Sequence, residues 1–575
     1  MLLDYFTIFI FAMMTLILTI IAYFLPKTIG NIVEIVVSAS VLLYLFIVFP
    51  FTEAMLYMST SAATYASFGT LFNRDNRKAR LQVKEKIERT KYQKIDQERD
   101  LKRIWIDLLL TLFVSGGALA FLVFAPDTYF LLKFIIIFAL ISILEQTVER
   151  FGNFFSTSLY WLPETERFII ISLFQSRDYP LADLKEVTRE SAPDLLKLHP
   201  LFTFLTENKD YTESFQAVLK LSFPGEHVYF SPVDIAEWEE VFNEYIIAKK
   251  DEMAHVLPIW HPKVLKRLFW KGYFAVTVKG VSAYTGLILI LAWLDVSVYI
   301  MIGSVVLWLL FNLYVSDRVL IAGTDAIELK EGEVFRRAQQ IFKKAKIPKT
   351  KLYLIDSPIH NGLATGMNIG RGTVMLTKAT MELPVEAVEA ILAHEAIHVK
   401  NRDVLMNQIA RILFLGLMGG AIYLFYDQLV LLADRPVILA LLAYLLTMLF
   451  PIYLSLIAQW AEIRADHFGA KLLYGGSTQM ESGLRALGNA QDQSLDKTFE
   501  YRMSETKPMK SKASIERDNW FFRLIEFQFQ AHPPLYFRIQ CLSENLSWRK
   551  TKKKWFVDRM IESFPDFMRK MNRVS

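Results

Sequence analysis

The segment Ile391-Leu-Ala-His-Glu-Ala-Ile-His-Val399 decides the fold class of this chain, because it contains the pattern His-Glu-x-x-His. Residues four apart lie on one face of a helix, so the imidazoles of His394 and His398 can reach one metal ion. Glu395, between them, is placed to accept a proton from a metal-bound water. The pattern also fits a helix with two hydrogen-bonded structural histidines. A third candidate ligand is therefore needed to distinguish a metal site from this alternative. Asp403 is a poor candidate for it, since it follows His398 too closely to reach the same ion.

A catalytic zinc takes three protein ligands and keeps one position open. The metzincin pattern needs a glycine and a third histidine shortly after the motif, but those positions hold Asn401 and Val404, so that class is excluded. A glutamate on a second helix is the other common solution, and Glu462 fits it. Asp466, one turn further on, can accept the second N–H of a ligand histidine and fix the orientation of its ring. A solvated charged face is the alternative interpretation of these two acids.

Four motifs in this order resemble the M48 family of integral-membrane zinc peptidases, which includes heat-shock proteases of the HtpX type and the Ste24 CAAX-prenyl proteases. The motifs are Asn361-Gly-Leu-Ala-Thr-Gly366, the His394–His398 helix with Asp403, Glu462-x-x-Ala465-Asp466, and His532-Pro-Pro-Leu-Tyr-Phe-Arg538. The resemblance covers roughly residues 265–545, about half of the chain.

The resemblance implies a gluzincin-type α+β zinc protease domain with one Zn²⁺ per chain, held by His394, His398 and Glu462. It also implies that the segment beginning at Asn361, together with a strand near residues 373–375, forms an edge along which an extended substrate docks; Asn361 and Ala364 are therefore candidate substrate-binding residues.

His532 has two open interpretations. It can stabilise the oxyanion of the reaction, or it can cap a turn before the two prolines that follow it.

Composition places the chain in a membrane. It has 575 residues, of which 53% are hydrophobic, and this is too apolar for an ordinary soluble protein of such length. Cys541 is the only cysteine, which excludes an intrachain disulfide and a cysteine zinc cluster.

We expect a polytopic α-helical protein with about eight transmembrane helices. The predicted spans are 5–24, 31–51, 105–125, 129–147, 274–294, 297–316, 409–426 and 437–458. Residues 52–72 are intermediate in character: they can extend the second helix or lie at the interface, and a separate crossing would change the topology. The basic run 73–104 indicates a solvated cytoplasmic loop and not a nucleic-acid site. With that loop inside, the N-terminus, both zinc-bearing segments and the basic tail are predicted to be cytoplasmic.

The predicted organisation alternates membrane and soluble regions. The expected regions are a membrane region 1–149, a soluble β-rich domain 150–262, a transmembrane hairpin 263–318, a catalytic domain 319–408, a second hairpin 409–459 and the rest of the catalytic domain, 460–575. The second hairpin returns the chain to the face where Glu462 can meet the histidines.

These features predict a membrane-embedded zinc endopeptidase in a bacterial cell membrane, with an active site facing the cytoplasm. Its expected partners are the lipid bilayer and polypeptide substrates, such as membrane proteins or membrane-associated peptides, with no nucleic acid. Quality control of membrane proteins is the favoured role. Processing of one defined, perhaps lipidated, peptide in the Ste24 manner is the alternative within the enzyme class. An inactive membrane sensor or adaptor is a further alternative, which the intact Glu395 disfavours. A transporter is disfavoured because no span has a broken, centrally charged character.

Overall fold

The computed structural model describes most of the chain. The described residues are 5–125, 130–192, 194–199, 202–246, 261–275, 277, 291, 294, 296–365, 372–432, 435–502 and 513–565. Most of the predicted span 274–294 lies outside them.

Helices dominate the described structure. In chain order they are α1 (Tyr5–Phe24), α2 (Lys27–Val48), α3 (Phe51–Leu71), α4 (Arg74–Glu88), α5 (Leu101–Phe124), α6 (Phe130–Ser156), α7 (Leu195–Leu198), α8 (Ile235–Asn243), α9 (Pro262–Phe274), α10 (Val298–Thr324), α11 (Glu333–Lys344), α12 (Val385–Asn401), α13 (Asp403–Leu424), α14 (Tyr426–Leu431), α15 (Pro436–Ala470), α16 (Gly476–Tyr501), α17 (Trp520–Phe529), α18 (Leu535–Ser543) and α19 (Trp548–Glu562).

The strands fall into three groups. They are β1 (Gln93–Ile95), β2 (Ser158–Leu162), β3 (Arg167–Ile171), β4 (Ser176–Pro180), β5 (Glu186–Glu190), β6 (Asn208–Tyr211), β7 (Val218–Phe223), β8 (Glu226–Phe230), β9 (Ile327–Glu328), β10 (Lys351–Ile355), β11 (Gly362–Thr365) and β12 (Thr373–Thr377). Each group forms a four-stranded sheet.

Six helices among the described residues are long and apolar enough to cross a membrane: α1, α2, α5, α10, α13 and α15. Each corresponds to one predicted span. The predicted span 129–147 corresponds, from Phe130 onward, to the first part of α6. Helix α15 continues from the predicted span into the turn that carries Glu462, so the second hairpin and the candidate ligand share one helix.

The segment left open at 52–72 forms a separate helix, α3, which begins after Pro50. At the start of α3, the ring of Tyr57 lies 5.0 Å from that of Phe49 and 5.5 Å from that of Phe11 in α1. The beginning of α1, the end of α2 and the beginning of α3 therefore meet at one end of a helical bundle.

The opposite end of this bundle carries the basic helix α4. Arg74 donates hydrogen bonds to the carbonyl of Lys27 at 2.9 Å and to the carboxylate of Glu34 at 2.5 Å. Arg77 donates to the carbonyl of Tyr23, at the end of α1, at 3.1 Å. The start of α1 thus lies at the end away from α4. This position differs from the predicted one, in which the N-terminal helix begins on the same side of the membrane as the basic segment; the sidedness of the N-terminus stays a prediction.

The basic segment is also more ordered than the predicted loop. Val83 and Ile87 of α4 are buried against Ile169 and Ile171 of β3. Further along, β1 pairs with β2 and extends its sheet. The segment therefore joins the membrane bundle to the β-rich region.

Residues 158–246, which we call the β module, contain β2 to β8; together with β1, which precedes the module in the chain, these strands form two sheets that enclose an apolar core. The strand orders are β1-β2-β3-β4 and β5-β7-β8-β6. Pairing is antiparallel throughout, apart from β6 with β8. Helix α8 closes the core with Trp238 and Phe242. The predicted β-rich character and closing helix are confirmed.

The remaining soluble part is built around α12. Its sheet has the order β11-β12-β10-β9, in which β10 and β12 are parallel and β11 is an edge strand. Side chains of α11, α12 and α16 fill a common core with this sheet; its largest members include Phe342, Ile391 and Met480. The helix with the His-Glu-x-x-His motif is consequently buried between the sheet and its neighbouring helices.

Candidate metal centre

Helix α12 is defined at both ends by backbone chemistry. Pro384 precedes its first residue, where a missing N–H costs nothing, and Arg402 ends it in the left-handed conformation with φ 55° and ψ 47°. The next helix, α13, begins directly at Asp403. This tight junction brings the carboxylate of Asp403 back beside the last turn of α12.

The structure brings His394, His398 and Glu462 together. One ligand atom from each residue lies within 4.8 Å of the others. Nε2 of His398 is 3.2 Å from one carboxylate oxygen of Glu462, and Nε2 of His394 is 3.4 Å from the other. The three side chains come from α12 and α15, which pack against each other.

A carboxylate orients each imidazole. Nδ1 of His394 is 2.8 Å from Asp466, and Nδ1 of His398 is 2.7 Å from Asp403. Ionised carboxylates only accept hydrogen bonds, so each Nδ1 carries the proton and each Nε2 presents its lone pair. The two Nε2 atoms face each other at 3.0 Å.

This donor set fits a divalent cation. Two lone pairs facing one another beside a carboxylate need a positive charge between them, and imidazole with carboxylate is a ligand combination that suits Zn²⁺. Oε2 of Glu462 is buried and makes no hydrogen bond, although nitrogen atoms lie within 3.4 Å of it. Burial lowers the pKa of His394, but Asp466 and Glu462 outweigh it, so the pKa is raised. The carboxylates thus favour a positive charge at the ring, carried by a proton or by a metal ion.

Two basic side chains complete the surroundings of Glu462. Arg538 donates two hydrogen bonds to Asp466, at 2.7 and 2.8 Å, and its third nitrogen lies 3.3 Å from Glu462. Burial lowers the pKa of Arg538, but the attraction of Asp466 is stronger and raises it overall. Nδ1 of His532 lies 3.0 Å from Glu462, and the His532 side chain is 68% exposed. His532 therefore faces both the site and solvent.

Glu395 lies against the edge strand. A Cβ atom added at Gly362 would be 3.2 Å from a carboxylate oxygen of Glu395 and 2.8 Å from Ile391. Only glycine allows this close approach of β11 to α12. Ala364 lies two residues further along β11 and pairs with Val374.

Asn361 immediately precedes β11. Its backbone N–H donates to the hydroxyls of Thr377 and Thr380, and its carbonyl accepts from the backbone N–H of Thr377. Asn361 thereby anchors the start of the edge strand at the end of the site where Gly362 meets Glu395.

Two residues have contacts at the site that the sequence does not predict. Asp403 contacts His398 as a hydrogen-bond partner and not as a ligand, and this contact depends on the left-handed turn at Arg402, which no periodicity signals. It also accepts a hydrogen bond from Arg464. Arg538 belongs to a recognised motif, but its position beside Asp466 depends on how α18 packs against α15.

The comparisons with known proteins agree with this geometry. Residues 328–546 match the model of peptidase family M48. The chain is thus a membrane protein with an M48 peptidase domain, and the resemblance predicted from the motifs is confirmed. The match starts later than the predicted 265, so the preceding hairpin lies outside it.

Relatives of the M48 region are proteases of the HtpX type. The chain is 37% identical to a protease HtpX homolog of Pelotomaculum thermopropionicum over 105 residues, which is 18% of this chain and 37% of the relative. It is 27% identical to the homolog of Campylobacter concisus over 195 residues, 31% of this chain and 66% of the relative. It is 24% identical to the homolog of Caldanaerobacter subterraneus over 255 residues, 40% and 77% of the two chains. The first two matches thus span less than two thirds of the relatives.

The β module has a separate counterpart. Residues 158–246 match the model of the bacterial PH domain. The chain therefore combines a PH-like module with an M48 domain, a combination that the sequence motifs did not indicate.

Proposed function

We propose that this protein is a zinc-dependent endopeptidase that hydrolyses peptide bonds at the cytoplasmic surface of a bacterial membrane. The observation that carries the proposal is the convergence of His394, His398 and Glu462 within 4.8 Å, with both imidazoles oriented by carboxylates. His394, His398 and Glu462 would hold one Zn²⁺.

A bound Zn²⁺ supplies a water of lowered pKa and polarises the carbonyl of the scissile bond. The chain's own residues do the rest. Glu395 accepts a proton from the attacking water and returns it to the amine that leaves. Asp466 and Asp403 hold the imidazole rings in one tautomer. His532, beside Glu462 and open to solvent, is positioned to donate to the oxyanion.

The edge strand β11 supports recognition of an extended substrate. Asn361 and Thr377 form a backbone hydrogen bond, and paired residues alternate along an antiparallel ladder. The backbone groups of Gly362 and Ala364 consequently point away from β12, toward the open edge. A substrate strand can pair with them through its main chain, which selects an unfolded peptide with little regard to its side chains. This supports quality control of misfolded membrane proteins as the role.

The position of the basic residues supports an active site on the cytoplasmic side of the membrane. Basic helix α4 lies at the same end of the membrane bundle as the β module, which α4 contacts through β3. The β module in turn contacts the peptidase domain through ion pairs such as Lys185–Glu382. Short basic segments remain in the cytoplasm, so the active site faces that compartment.

The test is cleavage of casein, an unfolded substrate, by the full chain purified in detergent. We expect cleavage that a chelator abolishes and added Zn²⁺ restores. In Glu395→Gln, we expect a loss of at least about 100-fold, because a general base contributes 10²–10⁴-fold. Glu389→Gln, on the same helix but paired with Arg337, is the matched control. Chelator-resistant cleavage, or full activity in Glu395→Gln, would refute the proposal.

A further inference from the structure

We propose that the β module acts as a clamp on the edge strand β11, and that Asp356 is the positioning residue through which it acts. The inference rests on the proposed function, in which β11 aligns the substrate. By holding β11 in position, the β module would control how substrate binds at the active site of the peptidase domain.

Asp356 is the first residue after β10 and begins the connection to β11. Its carboxylate enters the β module. There it accepts a hydrogen bond from Lys220 of β7 at 2.5 Å, and Nζ of Lys197 lies 3.6 Å away. Nε2 of His227 in β8 is 3.7 Å from the second oxygen. Lys220 and His227 are buried, at 3% exposure each. A buried ammonium needs its counter-ion, so the module and Asp356 are held to one relative position.

The connection after Asp356 is held along its length. Ser357 is buried. The carbonyl of His360 accepts a hydrogen bond from Gln491 of α16 at 2.8 Å, and Nδ1 of His360 is 3.2 Å from the hydroxyl of Ser494. The next residues are Asn361 and the glycine that touches Glu395. Only five residues therefore separate the charged contact with the β module from the strand that lies against the general base.

Helix α16 provides a second link between the two parts. Its last residue, Tyr501, is fully buried in the core of the β module, with its ring 4.9 Å from that of Tyr179. Its hydroxyl donates to Asp183 at 3.1 Å. On the same helix, Ser494 and Thr498 lie so close to the module's Gly225 that a Cβ there would be 2.3 Å from the Thr498 hydroxyl.

Two further ion pairs link the β module to the peptidase domain. Lys185 lies 2.5 Å from Glu382 in an exposed pair, and Lys378 forms a half-buried pair with Glu186. An exposed pair contributes little stability, so these pairs add charge complementarity while Asp356 provides the specific contact.

The main test is Asp356→Asn in the full-length protein, assayed for cleavage of dye-labelled casein and for bound zinc. The substitution leaves Lys220 buried without its counter-ion. We expect KM to rise by roughly 5-fold or more with kcat and zinc content nearly unchanged, which is the signature of lost positioning. The double variant Asp356→Asn with Lys220→Gln removes both charges, so part of the loss should be recovered.

The matched control is Glu328→Gln. Glu328 pairs with Lys351 at 2.9 Å, at the opposite end of β10, and its loss should leave KM unchanged. If Asp356→Asn does not fold, Lys378→Glu with and without Glu186→Lys provides a second pair: the reversal should raise KM and the swap should restore it.

A second measurement does not depend on catalysis. In Asp356→Asn, backbone amides of residues 357–365 should exchange hydrogen faster than in the parent protein, while those of α12 should not. Unchanged KM and unchanged exchange, or a fall in KM, would overturn the clamp. If the parent protein cleaves nothing, the proposed function fails, and the exchange experiment still decides whether the module holds β11.

Discussion

Asp403 and Asp466 each contact Nδ1 of one ligand histidine, although they lie in different helices. Asp466 lies one turn after Glu462 on α15, whereas Asp403 follows the end of α12 by a single left-handed residue. Each accepts the Nδ1 proton of one imidazole. Because the proton position decides which nitrogen can bind a metal, we expect these carboxylates to raise the affinity of the site for Zn²⁺.

Asp403→Asn and Asp466→Asn should each weaken zinc binding by about 10- to 100-fold, because the amide fixes the tautomer less well and makes the ring less basic. Competition with a chromogenic chelator measures the change. Glu389→Gln, on α12 but turned toward Arg337 and Gln479, should bind zinc as the parent does. Undiminished affinity in both aspartate variants would show that the histidines need no such support.

The residues of the site differ in how far the sequence could predict them. His394, Glu395 and His398 lie within one helical turn, so local geometry alone places them together. Predicting Glu462 required a contact between two helices separated by a hairpin, and the order of the motifs indicated that contact. The role of Asp403 depends on the φ of Arg402, a backbone property that the sequence does not reveal.

At the scale of elements, the sheet β5-β7-β8-β6 of the β module buries Lys220 and His227 beside Asp356 of the peptidase domain. His227 in β8 is buried, and neither ring nitrogen makes a hydrogen bond. Burial lowers its pKa well below the ordinary value, and the positive charge of Lys220 lowers it further, while Asp356 opposes both. Lys197 and Lys378 act in the same direction as Lys220.

The pKa of His227 predicts a loss of stability in acid. In the unfolded chain, histidine takes up a proton as the pH falls below about 6.5, but the folded module excludes that proton. The stability contributed by neutral His227 is therefore present above pH 6.5 and falls by up to about 1.4 kcal/mol per pH unit below it. Thermal unfolding at pH 7.5 and 5.5 should show a smaller shift in His227→Gln than in the parent. Equal shifts would contradict the assigned burial.

At the scale of the whole molecule, the described helices differ from the predicted arrangement at one place, the separate helix α3. The apolar runs were recognisable from composition, and six of the eight have a matching helix with the required length. The separate helix α3 was not recognisable from composition, because its mixture of Ser, Thr, Ala and Met forms no strongly apolar run; it packs against α1 and α6. The contact between the β module and the peptidase domain was equally unpredictable, since Asp356 and Lys220 are 136 residues apart.

Labelling of introduced cysteines tests this topology. The native Cys541 is buried, so single cysteines can be followed against a low background. A thiol reagent that does not cross membranes should reach Val48→Cys, at the end of α2, from the side opposite to that for Gln82→Cys on α4. Labelling of both from one side would show that α3 does not cross and would restore the predicted orientation of the N-terminus.

The most direct test of the metal centre is the zinc content of Glu462→Gln, measured by mass spectrometry of the purified full-length protein. The parent and Glu395→Gln should each hold about one zinc per chain, because in the proposed mechanism Glu395 acts on the water and is not a ligand. Glu462→Gln should lose most of its zinc together with its activity, since the anionic third ligand is gone. Full zinc occupancy and casein cleavage in Glu462→Gln would contradict the site that unites α12 and α15.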